Sequence, residues 1–162
     1  SDRSGALAAQ FGLYQDKKLI LCPHETQNPE AEALVGRLWQ AVGAQIFRMS
    51  AQEHDAVFAA VSHLPHILAF AYVHQILDHA DGATYLDFAA TGFRDFTRIA
   101  SSHPAIWTDI CFANRDSLLK LLEGQQRQLE KIAGLLRNGD SDGLYRYFAE
   151  AKQTRDDWLE RQ

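Results

Sequence analysis

The chain holds only two cysteines, four prolines and one methionine in 162 residues. Cys22 and Cys111 stand in no metal-ligand or disulfide-framework spacing. That excludes a disulfide-stapled scaffold and fits a reducing cytoplasm. No two glycines stand two positions apart, so the G-x-G-x-x-G turn that cradles a dinucleotide is absent. No apolar stretch reaches about 18 residues without a polar interruption, and the longest, residues 67–73, has the length of a core segment rather than a membrane span. Sixteen Lys and Arg against 21 Asp and Glu give a net charge of −5, which argues against nucleic acid or another polyanion as partner. A small anion is not excluded, because a local arginine site works inside an acidic protein. The seven histidines form no ligand-like cluster, so no metal site is read. The chain opens on Ser1-Asp2-Arg3-Ser4 rather than on methionine, and nothing there has the pattern of a signal peptide.

What is present suits one domain, or one domain plus a piece of another. Residues 18–22 and 45–49 read as short strands, the first ended by Pro23. Between them Asn28-Pro29-Glu30 is a helix start, with Asn as N-cap and Pro at the first position. Leu34, Leu38 and Val42 then repeat at intervals of four, giving one stripe expected to be buried, and Gly43 stops the helix. Strand-helix-strand suits the last edge of an α/β nucleotide-binding domain, here residues 1–49.

Everything after Ser50 reads as helix, so the fold class is mainly α, with residues 50–162 as the helical domain. Ser50-Ala51-Gln52-Glu53 is a capping box. Pro65 is expected to break or restart the helix that follows. The next helix, over 66–80, is apolar on all sides at first and so is expected to be buried. Shorter helices fit 85–90 and 93–101, and His103-Pro104 opens another. Asp116 is read as the cap of a long helix to about residue 137, ended by Asn138-Gly139. Its stripe of Leu118, Leu122, Leu129, Ile132 and Leu136 is a packing seam. A last helix follows Asp142 and carries Leu144, Phe148 and Trp158. More apolar surface is offered than so short a chain buries by itself, which predicts a homodimer through the carboxy-terminal helices.

Two stretches carry chemistry. Gly92-Phe93-Arg94-Asp95-Phe96-Thr97-Arg98-Ile99-Ala100 sets charges among aromatic and apolar residues, where charge is costly unless paired. Ser62-His63-Leu64-Pro65-His66 precedes the apolar run. Together they read as a buried site for an anion. A structural ion pair for the first, and a helix start for the second, are the plain alternatives.

These stretches, followed by Ala105-Ile106-Trp107-Thr108-Asp109-Ile110, resemble the prephenate/arogenate dehydrogenases, the NAD(P)-dependent enzymes of tyrosine biosynthesis. The resemblance runs from Ser1 to about Asn114 and continues more loosely to the end. It implies a helical dimerisation and substrate domain like the carboxy-terminal domain of 6-phosphogluconate dehydrogenase. Ser1-Asp2-Arg3-Ser4-Gly5 is similar to the second half of the family's H-P-x-x-G-[ST]-[ED]-[KR]-S-G segment, whose first half carries the catalytic histidine. The chain is therefore expected to be the carboxy-terminal part of a longer dehydrogenase, inactive alone and without affinity for NAD or NADP.

The same resemblance assigns substrate-binding roles. Arg98 matches the arginine of F-T-R-I-A, which binds a substrate carboxylate. Guanidinium suits that task because it donates two parallel hydrogen bonds. Asp95, three residues earlier, is read as pairing with Arg98 and steadying it. Arg94 falls on another face and is expected to be exposed. His66 matches the second histidine of the motif, in the substrate pocket. At the amino end of a helix it would stay neutral, beside N–H groups that favour an anion. Ser62 is either a cap or a pocket hydroxyl. His63 reads better as a core histidine. Thr91 stands where relatives often have glycine and would narrow the pocket. Trp107 either lines the site, across a dimer interface, or packs helices. Asp2 stands where relatives usually carry Glu. The implied substrate is prephenate or arogenate, with tyrosine as a possible inhibitor. A reading from another class is a non-catalytic helical module that dimerises and binds an anionic aromatic ligand such as tyrosine.

Overall fold

A computed structural model describes residues 9–161. Asp2 lies outside them. The chain divides into two units, the first ending at Phe58 and the second beginning at Ala59.

The first unit contains β1 (Lys18–Leu21), α1 (Pro29–Ala41), β2 (Gln45–Arg48) and α2 (Ala51–Phe58). The strands pair in parallel with Lys18 opposite Gln45 and Leu21 opposite Arg48. Parallel pairing requires a crossover, and α1 supplies it. Asn28 caps α1 by accepting from the Glu30 N–H at 2.8 Å, and Pro29 follows as expected. Gly43 ends the helix segment at φ +91°, a conformation that favours glycine, and its carbonyl accepts from the Asp16 N–H at 2.9 Å. The expected burial of Leu34, Leu38 and Val42 is not found: all three are exposed. The covered side of α1 is instead Gly36, with Glu32 and Trp39 half-covered, where Glu32 takes a 2.7 Å hydrogen bond from Arg48 of β2. Two strands cover only one side of a helix, and the leucine stripe lies on another. The capping box forms as read: Glu53 accepts from the Ser50 N–H at 2.8 Å, and Ser50 Oγ accepts from the Glu53 N–H at 3.1 Å.

The second unit opens with a π-helical turn, Ala59–His63, followed by α3 (Leu64–Leu77), α4 (Gly82–Asp87), α5 (Thr91–Thr97), a 3-10 turn (Arg98–Ser101), α6 (Pro104–Ala113), α7 (Arg115–Arg137) and α8 (Ser141–Leu159). Pro65 restarts the helix, as one of its two expected outcomes. It sits at the second position of α3, directly after the widened π turn, where its missing N–H is absorbed. Helical structure therefore runs from Ala51 to Leu77, 27 residues with a peak mean hydropathy of 1.6. By length and composition that run is apolar enough to cross a membrane, although polar residues interrupt it throughout. The core helix of a water-soluble fold passes the same test.

Helix α3 packs against α4, α5, α7 and both irregular turns. Ala59, Ala69 and Leu118 form its fully covered contacts. Tyr72 meets Phe93 and Phe96 of α5, each with ring centroids 5.7 Å apart. The rest of α3 is half-covered or exposed, so the expected burial of its first half is also corrected. Two cap positions differ from the sequence reading: α7 starts after Asn114 rather than at Asp116, and α8 is capped by Asp140, which accepts from the Gly143 N–H at 2.8 Å. Helices α7 and α8 form a hairpin, closed by Gly139 at φ +64° and joined by a 3.0 Å hydrogen bond from Tyr147 Oη to Gln128.

Candidate functional site

The π turn and the start of α3 carry the Ser62-His63-Leu64-Pro65-His66 segment. One helical step separates Ser62 from His66, and the His66 ring folds back so that Nδ1 lies 2.8 Å from the Ser62 carbonyl. A carbonyl only accepts, so Nδ1 carries a proton. In the neutral ring, Nε2 is left as an acceptor. Ser62 thus acts here through its backbone. The expected free helix amino end at His66 does not exist, because helix precedes it without a gap. An N-terminal field is therefore not what makes this position suited to an anion.

Trp107 of α6 completes the arrangement. Its ring stacks on His66 with centroids 3.6 Å apart and planes 19° from parallel. His63 meets Trp107 edge-on, at 6.1 Å and 78°. On its other side His63 Nδ1 lies 3.4 Å from Nδ2 of Asn114, the one buried polar side chain among the described residues, 8% exposed. His66, Ser62 and Trp107 are all half-buried.

The Arg98 segment reaches the same unit by a different route. Helix α5 tightens at its end, where Thr97 Oγ1 donates to the Phe93 carbonyl at 2.7 Å. Such back-bonding competes with the regular ladder. Arg98 then opens the 3-10 turn, which packs on α3. Arg98, Asp95, Thr91 and Arg94 are exposed in the isolated chain. Exposure of Arg94 matches its reading, whereas the buried charge cluster expected of Asp95 and Arg98 is not seen. Among the described residues no ion pair joins Asp95 to Arg98. The change from α to 3-10 winding between them alters the three-residue register on which that pair was read.

The geometry thus brings His66 into contact with Trp107, and the 3-10 turn carrying Arg98 onto α3. An apolar hollow of about 200 Å³ between α3, α6 and α7, bounded by Ile67, Cys111, Leu118 and Leu122, includes none of the expected site residues. Burial there pushes the Cys111 thiol above its ordinary pKa, so it is a poor nucleophile. The sequence reading missed Asn114, whereas His63, read there as a core histidine, is half-buried and packs against Trp107. Asn114 stands in a run, Asn114-Arg115-Asp116, in which two residues are good caps, and nothing local tells which one turns inward.

Residues 50–150 match the family described as prephenate dehydrogenase, dimerization domain. The chain is 39% identical to the prephenate dehydrogenase of Bacillus subtilis over 158 residues, 96% of this chain and 42% of that protein. It is 32% identical to the cyclohexadienyl dehydrogenase of Zymomonas mobilis, over 96% of this chain and 54% of that one. The prephenate dehydrogenase of A. aeolicus, solved with hydroxyphenyl propionate and NAD+, superposes with a TM-score of 0.88 at 35% identity, over 97% of this chain and 55% of that one. Synechocystis arogenate dehydrogenase superposes with a TM-score of 0.77 at 26% identity, over 91% and 54%. The chain spans about half the length of these relatives. On the match across most of its helical part, the chain belongs to the prephenate dehydrogenase dimerization-domain family.

Proposed function

We propose that this chain is the substrate-binding and dimerising part of a prephenate or arogenate dehydrogenase. One observation carries the reading above the others: nearly the whole chain superposes on a prephenate dehydrogenase solved with an aromatic acid and NAD+. In this reading the reaction is oxidative decarboxylation. From prephenate, a proton leaves the ring hydroxyl, a hydride leaves the carbon that bears it, and loss of CO2 restores aromaticity to give 4-hydroxyphenylpyruvate. The nicotinamide cofactor, NAD or NADP, supplies the hydride acceptor when bound.

The chain's own residues do not fit that cofactor. The connection from β1 to α1 has no glycine to let the backbone approach a pyrophosphate, and no G-x-G-x-x-G turn occurs elsewhere. Cofactor binding, and the proton-accepting histidine that the family resemblance implies, are assigned to other parts of the full protein. This chain contributes orientation. Arg98 pairs with a substrate carboxylate, and His66, its ring fixed by the Ser62 carbonyl and the Trp107 face, offers Nε2 to the substrate's polar tail. In the same reading Asp95 and Thr91 border this site, and tyrosine, which shares the aromatic ring and carboxylate, is a competing ligand.

A homodimer belongs to the same reading. Leu129, Leu136, Phe148 and Trp158 of α7 and α8 are among the exposed apolar side chains. Covering them with a second copy removes a patch that a water-exposed monomer rarely carries.

The direct test is a steady-state assay of the full-length gene product with prephenate and arogenate, each with NAD and NADP. Turnover of at least one pair is expected. A folded protein that turns over none of the four combinations contradicts the proposal.

A further inference from the structure

Asn114 occupies the N-cap position of α7 yet makes no side-chain hydrogen bond to its own helix. Asparagine at this position normally accepts from the N–H groups of the first turn. Here the side chain is buried, and its amide nitrogen lies 3.4 Å from His63 Nδ1, 51 residues earlier. That distance is at the long end of hydrogen-bond range. An amide nitrogen only donates, so His63 Nδ1 accepts and the neutral ring carries its proton on Nε2. The edge of that ring meets Trp107, whose face lies on His66.

We propose that Asn114 is a positioning residue that, through His63, holds Trp107 flat against His66. The contact chain is Asn114 to His63 to Trp107 to His66, and it crosses from the α6–α7 junction to the π turn and α3. The two histidines play opposite parts. His63 has Nδ1 as acceptor and faces inward to Asn114. His66 has Nδ1 as donor, tied to the Ser62 carbonyl. The Asn114 amide thus meets the inner side of the ring that buttresses the tryptophan. Its consequence for catalysis rests on the proposed dehydrogenase function, but the geometric claim does not.

The test has one part on the 162-residue chain and one on the full-length protein. In the chain, long-range proton–nitrogen NMR reads the imidazole tautomers, and the upfield ring-current shift of the His66 protons reads the stack. His63 is expected to carry its proton on Nε2. Asn114→Leu, which keeps the volume but removes the donor, is expected to return the His66 protons toward their unstacked positions. Asn114→Asp, which only accepts, is expected to put a proton on His63 Nδ1. In the full-length enzyme, Asn114→Leu is expected to raise KM for the substrate by about tenfold while KM for the nicotinamide cofactor stays unchanged. A residue needed only for folding lowers the amount of active enzyme and leaves KM alone. The proposal is overturned if wild-type His63 carries its proton on Nδ1, a result that needs no variant to fold. It is equally overturned if folded Asn114→Leu keeps the His66 shift. Absence of dehydrogenase turnover in the wild type sinks the functional reading and leaves the NMR result to decide the positioning role.

Discussion

Trp107 lies face to face with His66, ring centroids 3.6 Å apart, although 41 positions separate them in the sequence. The contact fixes the imidazole from above while the Ser62 carbonyl fixes it from the side at 2.8 Å. In the proposed substrate-binding role, a histidine held on two sides loses little freedom when it meets a ligand.

Removing the stack should therefore act on binding. Aromatic pairs contribute about 0.5–1.5 kcal/mol beyond their burial. Trp107→Ala in the full-length protein is expected to raise substrate KM by about three- to tenfold, with Trp107→Phe recovering part of the loss. Steady-state kinetics of the two variants decide this. Equal KM values for wild type and Trp107→Ala would assign the tryptophan to helix packing alone.

The exposed faces of α7 and α8 make a separate prediction. Sedimentation of the 162-residue chain at micromolar concentration should show a dimer. Leu136→Glu, at a side chain 62% exposed in the single chain, should shift it toward monomer without loss of helicity. A wild-type monomer at that concentration would contradict the reading of these faces as an interface.

Acid should weaken one helix start in a defined direction. Hydrogen bonds from the Ser50 backbone N–H, and then from its hydroxyl, hold the Glu53 carboxyl below its ordinary pKa of 4.5. A lowered folded-state value contributes stability above that ordinary pKa, and the contribution fades as pH falls through the folded value. Thermal unfolding of wild type and Glu53→Gln should differ at pH 7, and the gap should shrink as pH falls below the ordinary value. An unchanged gap as pH falls would mean the charge of Glu53 plays no part.

The covered core gives a stability prediction of ordinary size. Leu118 is 3% exposed and borders the hollow beside Cys111. Leu118→Ala should destabilise the helical unit by about 2–5 kcal/mol, read from denaturant unfolding. A loss under about 1 kcal/mol would show that this contact does not anchor α7.

Much of this fold was legible because its signals are local. The Asn28 cap, the Ser50–Glu53 box, the helix start at Pro104 and the turns at Gly43 and Gly139 all follow from a few adjacent residues. The strand-helix-strand order and the helical remainder follow from local patterns too, while the parallel pairing of the strands comes from the structure. Pro65 restarts the helix in the first turn of α3, one of the two outcomes expected of it. Errors arose where a distant neighbour decides. The Leu34–Leu38–Val42 stripe stays uncovered because only one side of α1 meets β2. Asn114 faces His63 across 51 positions, a pairing that no local pattern announces. For the site, motif resemblance pointed to His66 and Trp107 separately, and only the packing of α6 against the π turn and α3 brings them together.

The account rests most heavily on Arg98. It is exposed in the single chain, at the start of the 3-10 turn, so a substrate carboxylate paired with it is partly screened by water. Hydrogen bonds to charged groups are worth about 1.5–3 kcal/mol, which is roughly ten- to a hundredfold in binding. The decisive measurement is KM for substrate and for nicotinamide cofactor in full-length Arg98→Ala, Arg98→Lys and, as control, Arg94→Ala. The account predicts a substrate KM raised at least about tenfold by Arg98→Ala, partial recovery in Arg98→Lys, and little change in cofactor KM or in Arg94→Ala. A folded Arg98→Ala enzyme whose substrate KM stays within about twofold of wild type would show that Arg98 does not bind the substrate carboxylate.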